Sequence, residues 1–495
     1  MGRRPYRWVR GSLPATVRIV SSVVVLSVLT LAWADAPSSG GLTPQTGAES
    51  HARRITWQDV GPLHARLEAR GFSAADFSVR IDRLAEDNAR RVHLGDLDHL
   101  VFFALQSTRF TRLPAMEPAL SARALVDDMD PADRDAFFAD PASVRGRVNP
   151  AVRARLTAFL RAIAAPGADA RLAYFGRLVG DAVPAARDRE AALVAEYLRV
   201  MRFVYEKEFG AGRSTSAAAA ALYRTRGLST DTAVEAGFLV SQGLGVLRGL
   251  QPDRRVRRVL IIGAGLDIAP RTALLEAAPP QSYQPWAVLD ALIGLGLARL
   301  DEVEIVAADI NPRVVDYLQQ SRTIPPQLLL VSGIGDDGRV ALAGGYREYF
   351  EAFGRSLGQV DTGPRTGRGM LLVPAGHLFK RVQVSREAAQ VLHSERFDVV
   401  TERIVGRTFD LVVATNVFPY FDDDALMLAV ANIAGMLDGD GVLLHNEPRP
   451  TLFEIAAALG LPPWQSRHAI IATVRGAPPL GDSIWLHGRH LVANR

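Results

Sequence analysis

From residue 256 onward the sequence alternates short β-branched runs with helix-length stretches, and this alternation limits the possible fold more than any other feature of the chain. "RRVLIIGAG" is the first such run and "EVEIVAADI" the second. "RFDVVTERIV" (396–405), "TFDLVVATN" and "GDGVLLHNE" follow as the third, fourth and fifth. "HAIIATVRG" and "SIWLHGRH", joined by "APPLGD", close the series as a pair. Runs apolar at nearly every position suit parallel strands buried on both faces. The pattern predicts an α/β fold with a doubly wound, seven-stranded sheet over residues 251–495. Two stretches, 278–300 and 321–395, interrupt it and read as insertions of the kind that form lids or substrate walls.

Upstream, residues 55–250 read as a mainly helical N-terminal domain. "PLHARLEARGFSAADFSVRIDRLAEDNARRV" and "REAALVAEYLRVMRFVYEKEF" space their apolar residues by three and four. Thr232 and Glu235 have the spacing of a capping box for a helix that runs to Leu247. The mixed His/Asp stretch "VHLGDLDH" (92–99) reads as a helix–loop junction. Before this region, arginines precede the apolar run "IVSSVVVLSVLTLAWADA". Residues 1–36 therefore read as a signal peptide or signal anchor, with membrane contact through 19–34 if uncleaved, and 37–54 as a linker. That reading places the protein outside the cytoplasm or at a membrane; a misassigned start would leave it cytoplasmic.

The 495 residues are 48% apolar and 22% charged, with a formal charge of +4 and no cysteine. A sizeable core follows, and disulfides, thiolate metal sites and a cysteine nucleophile are excluded. The basic residues are scattered arginines, with Lys207 and Lys380 the only lysines, so no nucleic-acid partner is indicated. No metal site is expected: His487-x-x-His490 lies on a strand and lacks a third ligand.

In a doubly wound sheet, ligands bind at the carboxyl ends of the strands. Gly263 and Gly265 occupy that place after the first run, but Ile268 stands where a dinucleotide fingerprint needs its third glycine. A ligand without a pyrophosphate does not need that glycine. Asp309, at the tip of the second run, suits the two hydroxyls of a ribose, or else caps the next helix.

These features, with "FDLVVATNVFPYF" and "GMLDGDGVLL" in that order, resemble the class I S-adenosylmethionine-dependent methyltransferases over the carboxyl half of the chain. The resemblance implies a Rossmann-like sheet and S-adenosylmethionine as cofactor. It implies Gly263 and Gly265 at the methionyl part, Asp267 near its ammonium and Asp309 on the ribose. Asp398 or Glu402 would lie near the adenine, and Asn416 and Val417 beside the methyl group. The acid often found before the first glycine is replaced by Ile262. The acceptor is open between a small molecule and a protein side chain, and no catalytic residue is assigned. Tyr420 would orient an acceptor or pack. Tyr283, Trp286, Tyr346 and Tyr349 would line an acceptor wall or fill the core. Arg224 and Arg226 would meet a carboxylate or solvent. The alternatives are an exported or anchored binding protein without turnover and, disfavoured by Ile268, an NAD-linked oxidoreductase.

Overall fold

The computed structural model describes residues 51–210, 222–223, 226–269, 279–363 and 373–489. Seven principal strands build the main sheet: β1 (Arg258–Ile262), β2 (Glu304–Asp309), β3 (Leu392–Arg396), β4 (Phe409–Ala414), β5 (Leu437–His445), β6 (Pro463–Val474) and β7 (Ala477–Gly488). They lie in the order 3-2-1-4-5-7-6, and a short eighth strand, Val340–Leu342, pairs with the outer edge of β6. β1 to β5 run parallel, whereas β7 lies antiparallel between β5 and β6.

Side chains alternate across a pleated sheet, so an apolar run must fill two cores. In β1, Val259 and Ile261 enter one core and Leu260 and Ile262 the other. In β4, Leu411 and Val413 oppose Val412 and Ala414 in the same way. The crossover helix Pro312–Thr323, between β2 and β3, adds Val314 and Leu318 to the first core. The helix Asp423–Met436, between β4 and β5, adds Leu426, Val430 and Ile433 to the second. The chain thus winds outward from β1 over one face and returns over the other. The reversal opens a crevice between the carboxyl ends of β1 and β4.

Several expected boundaries move. The third strand is Leu392–Arg396, upstream of the expected 396–405, and Glu402–Ile404 instead pairs with Ala52–Arg54. "LHSER" looks unlike a strand because β3 ends the sheet, where fewer apolar side chains are covered. The second insertion is correspondingly shorter, since 321–323 finish a helix and 392–395 belong to β3. It carries its own three-stranded antiparallel sheet, Gln327–Val331, Phe379–Val384 and Gly358–Asp361, as well as the edge strand that makes the main sheet eight-stranded. Within the 278–300 stretch the helix Gln284–Gly294 lies in the crossover between β1 and β2. β6 and β7 meet at Arg475-Gly476, with Gly476 at φ +75°, so "APPLGD" lies within β7. Gly439-Asp440-Gly441 lies inside β5, where the register with β4 shifts.

The two ends of the helical region pack on the sheet and its helices. Ile55, Val60, Leu63 and Phe77 join the second core, where the segment Trp57–Leu63 packs on the helix Asp423–Met436. The helix Val234–Leu250 places Val240, Leu244 and Leu247 in the first core. "VHLGDLDH" is interior to the thirty-residue helix Phe77–Gln106 and not at a junction. The N-cap of Val234–Leu250 is Ala233 with no side-chain cap. Glu235 instead accepts from the Gly333 amide (2.7 Å) and the Tyr346 hydroxyl (2.6 Å), so the Thr232–Glu235 capping box does not form. The signal segment, most of the linker, Arg224 and His490 lie outside the described residues. Among the described residues, no helix is long and apolar enough to cross a membrane.

Candidate functional site

The turn after β1 forms the floor of the crevice. Gly263 and Gly265 both have positive φ, +72° and +71°, a conformation that side chains other than glycine's rarely adopt. Space is short as well. A Cβ on Gly263 would stand 2.6 Å from Val417 Cγ2, and one on Gly265 would stand 2.9 Å from the Thr230 carbonyl oxygen. Gly263→Ala should therefore cost about 1–2 kcal/mol from backbone strain alone and more from the Val417 clash. Denaturant unfolding of Gly263→Ala with and without Val417→Ala should show partial rescue, with the strain remaining.

Every backbone N–H of this turn already has an acceptor within the protein. Gly263 donates to Ala308 O, Leu266 to Thr230 O and Asp267 to Gln281 O. Ala264 shares the Ala308 carbonyl at 3.4 Å, and Gly265 donates to Asp309 Oδ2 at 3.1 Å. A pyrophosphate-binding turn works by aiming free N–H groups at the anion. This one has none to offer.

The walls carry the opposite charge. Asp231, Asp309 and Asp398 line the crevice, and among the described residues no lysine, arginine or histidine does. Asp309 ends β2, and its two oxygens accept the Gly265 and Asn311 amides, at 3.1 and 2.9 Å. Burial pushes its carboxyl up to about 6, against the pull of those two amides and with a push from Asp96. Asp398 follows β3 by two residues. It accepts both from Asn88 Nδ2 (3.1 and 3.3 Å) and from the Thr401 hydroxyl (2.7 Å). Phe397, Val399 and Ile310 supply apolar surface beside it. After β4, Asn416 is the one described non-glycine residue with positive φ, +60°. It is clasped by Asn446, which accepts from the Asn416 amide and donates to its side-chain oxygen, each at 2.8 Å.

The remaining wall comes from the helical region. A strap, residues 227–232, crosses the helix Phe77–Gln106 where Gly227 meets Gly95; a Cβ on Gly95 would lie 1.9 Å from the Leu228 carbonyl oxygen. Leu228, Ser229, Asp231 and Thr232 of this strap line the crevice. Thr230 pins the strap, its amide donating to His99 Nε2 (3.2 Å) and its hydroxyl to Leu266 O (2.8 Å). Burial lowers the His99 pKa, and its Nδ1 lies 3.3 Å from Asp231. The same long helix places Asn88 on Asp398, Asp96 on Asn311 (3.0 Å) and Arg91 on the Tyr420 carbonyl (2.9 Å).

Six of the eight residues expected in the site line this crevice: Gly263, Gly265, Asp309, Asp398, Asn416 and Val417. Asp267 and Glu402 do not. Asp267 bridges to Gln281, and burial, with the Asp231 charge, holds its carboxyl well above the ordinary range. Glu402 accepts from the Asp398 amide (2.9 Å) and pairs with Arg54 (3.3 Å), so of the two acids after the third strand it is Asp398 that reaches the crevice. Tyr420 lines the crevice and its hydroxyl accepts from Arg226 (3.1 Å). Arg226 is buried, ion-paired to Asp231 at 3.2 Å and not solvated. Tyr283, Trp286 and Tyr346 are buried in the first core, with Tyr349 packed against it. Asn88, Asp231 and Thr232 were missed, although the His/Asp-rich stretch 92–99 and the Gly227 crossing stand beside them. Among the described residues no cluster of potential metal ligands occurs.

No protein-family model and no curated protein matches the chain. Among solved structures it is similar to a TehB-like SAM-dependent methyltransferase from Corynebacterium glutamicum, at 12% identity and TM-score 0.24, over 51% of this chain and 87% of that one. It is similar to the N-methyltransferase NodS from Bradyrhizobium japonicum with S-adenosyl-L-homocysteine, at 11% identity and TM-score 0.26, over 51% and 87%. It is also similar to magnesium protoporphyrin IX methyltransferase from Synechocystis with bound SAM, at 10% identity and TM-score 0.27, over 59% and 97%. Likeness this distant assigns no activity, and the functional reading rests on the crevice itself.

Proposed function

We propose that the protein is an S-adenosylmethionine-dependent methyltransferase. The observation that carries this reading is the crevice's chemistry: acids on its walls, no lining cation among the described residues, and a glycine turn with every N–H already bonded. Such a site disfavours the diphosphate of a dinucleotide and suits a nucleoside that bears positive charge. Asp309 accepts the ribose hydroxyls through the lone pairs its two amide bonds leave open. Asp398 accepts from the adenine amino group, with Phe397, Val399 and Ile310 against the base. Asn416 and Val417 stand at the sulfonium end, with Tyr420 beyond them.

When bound, the cofactor supplies an already activated methyl group, which passes to an acceptor lone pair as the carbon–sulfur bond breaks. The chain's own residues have only to align the two partners and keep the crevice electronegative. The methyl acceptor is a small molecule or a protein side chain.

Ribose binding requires the Asp309 carboxylate. With its pKa at about 6, affinity should be flat above neutral pH and fall by about tenfold per unit well below that value, because protons then compete with the ligand. Calorimetric titration between pH 5 and 7 reads this directly, and Asp309→Asn should abolish the acid limb. The activity is tested by incubating the chain with methyl-labelled cofactor and fractionated extracts. Label passed to an acceptor by the wild type, and not by Asp309→Ala, supports the reading. Reduction of NAD with no label transfer would favour the oxidoreductase.

A further inference from the structure

We propose that the strap residues Asp231 and Thr232 hold the amino-acid end of the cofactor, Asp231 the ammonium and Thr232 the carboxylate. This rests on the S-adenosylmethionine reading above and assigns the part of that ligand which Gly263, Asp309 and Asp398 leave unrecognised. Asp267, the acid that the resemblance puts near the ammonium, does not line the crevice. The strap takes its place. A Cβ on Gly265 would lie 3.1 Å from Thr232 Cβ and 3.7 Å from Asp231 O, so both residues overhang the methionyl end of the glycine turn.

Asp231 is oriented for this. Arg226 Nη2 lies 3.2 Å from one of its oxygens and His99 Nδ1 lies 3.3 Å from the other, while 31% of the side chain stays accessible. Thr232 Oγ1 is buried in the crevice wall with no hydrogen-bond partner among the described residues. A hydroxyl in that state calls for a ligand, because an unmade buried hydrogen bond is expensive. It can donate to a carboxylate, whereas Asp231 would repel one and attract an ammonium. Together the two side chains offer an acceptor for an ammonium and a donor for a carboxylate, the pair of groups that an α-amino acid presents. The strap then holds one end of the ligand and the sheet the other, so cofactor binding fastens the helical region to the sheet.

The test is calorimetric titration of the full chain with S-adenosylmethionine and with 5′-methylthioadenosine, which keeps the nucleoside and lacks the amino-acid end. Asp231→Asn should lower S-adenosylmethionine affinity by about tenfold, and Thr232→Val by about fivefold, the scale of one charge-assisted and one neutral hydrogen bond. Both variants should bind methylthioadenosine as the wild type does. Equal losses for the two ligands would mean that the variants merely disturb the strap, and no loss for either would mean that the strap does not touch the ligand; both results overturn the proposal while the cofactor reading stands. A wild type that binds methylthioadenosine but not S-adenosylmethionine overturns it too, and a wild type that binds neither overturns the cofactor reading with it.

Discussion

Gly95→Ala should destabilise the protein by about 3 kcal/mol and lower cofactor affinity by more than about tenfold, which is unusual for a glycine-to-alanine change inside a helix. In an isolated helix that change stabilises by about 1 kcal/mol. Here the new Cβ would fall 1.9 Å from the Leu228 carbonyl oxygen and 2.7 Å from its carbonyl carbon. These are backbone atoms with no rotamer to change, so the strap itself must lift. Leu228, Ser229, Asp231 and Thr232 would move with it, and the crevice would lose its outer wall. Denaturant unfolding and calorimetry on one preparation measure both effects. A variant that melts and binds like the wild type would show that the strap does not dock on this helix.

Asp309→Ala should separate binding from stability. Cofactor affinity should fall by more than about tenfold, because two hydrogen bonds from ribose hydroxyls to a carboxylate are lost. The melting temperature should hardly move. In the folded protein the Asp309 carboxyl is raised to about 6 from 3.8, so its charge costs on the order of 3 kcal/mol at neutral pH. The sign is that of a buried acid: the penalty is absent below the unfolded value and complete above about 6. Removing the carboxylate relieves the penalty but leaves the Gly265 and Asn311 amides without acceptors, at about 1–3 kcal/mol each. The terms oppose at similar size. Unchanged affinity would remove Asp309 from the site; a collapse in melting temperature would make it a structural residue.

The sheet was legible wherever strands are buried on both faces. β1, β2 and β4 are apolar at consecutive positions because each face meets a full core. β3 was misplaced because an edge strand escapes that requirement, and its "LHSER" carries only one fully apolar position. The floor of the site could be read for a related reason. Gly263, Gly265 and Asp309 follow directly from strands that declare themselves, and strand ends are where a doubly wound sheet binds ligands.

The far wall could not be read in the same way. Asn88 lies more than a hundred and thirty positions from Asp231 and Thr232, and the packing of Gly227 on Gly95 with the Thr230–His99 contact brings them together. The signal was present without being interpretable. Asp96, Asp98 and His99 are three polar groups on a buried helix, and each has a partner outside that helix. Asp96 meets Asn311, Asp98 meets Arg199 at 2.6 Å and His99 meets Thr230. Polar residues packed so closely within an apolar helical pattern more often mark a tertiary junction than a chain break. Asp267 misled for the opposite reason: the resemblance puts it near the ammonium, but its carboxyl group is taken into the protein.

On the function proposed above, this crevice excludes a diphosphate and accepts a positively charged nucleoside. Titrating the full chain side by side with S-adenosylmethionine and NAD at neutral pH tests it most directly. Saturable binding of the sulfonium is expected, with no measurable heat from the dinucleotide. Tighter binding of NAD, or a complex with a diphosphate seated over Gly263 and Gly265, would contradict it.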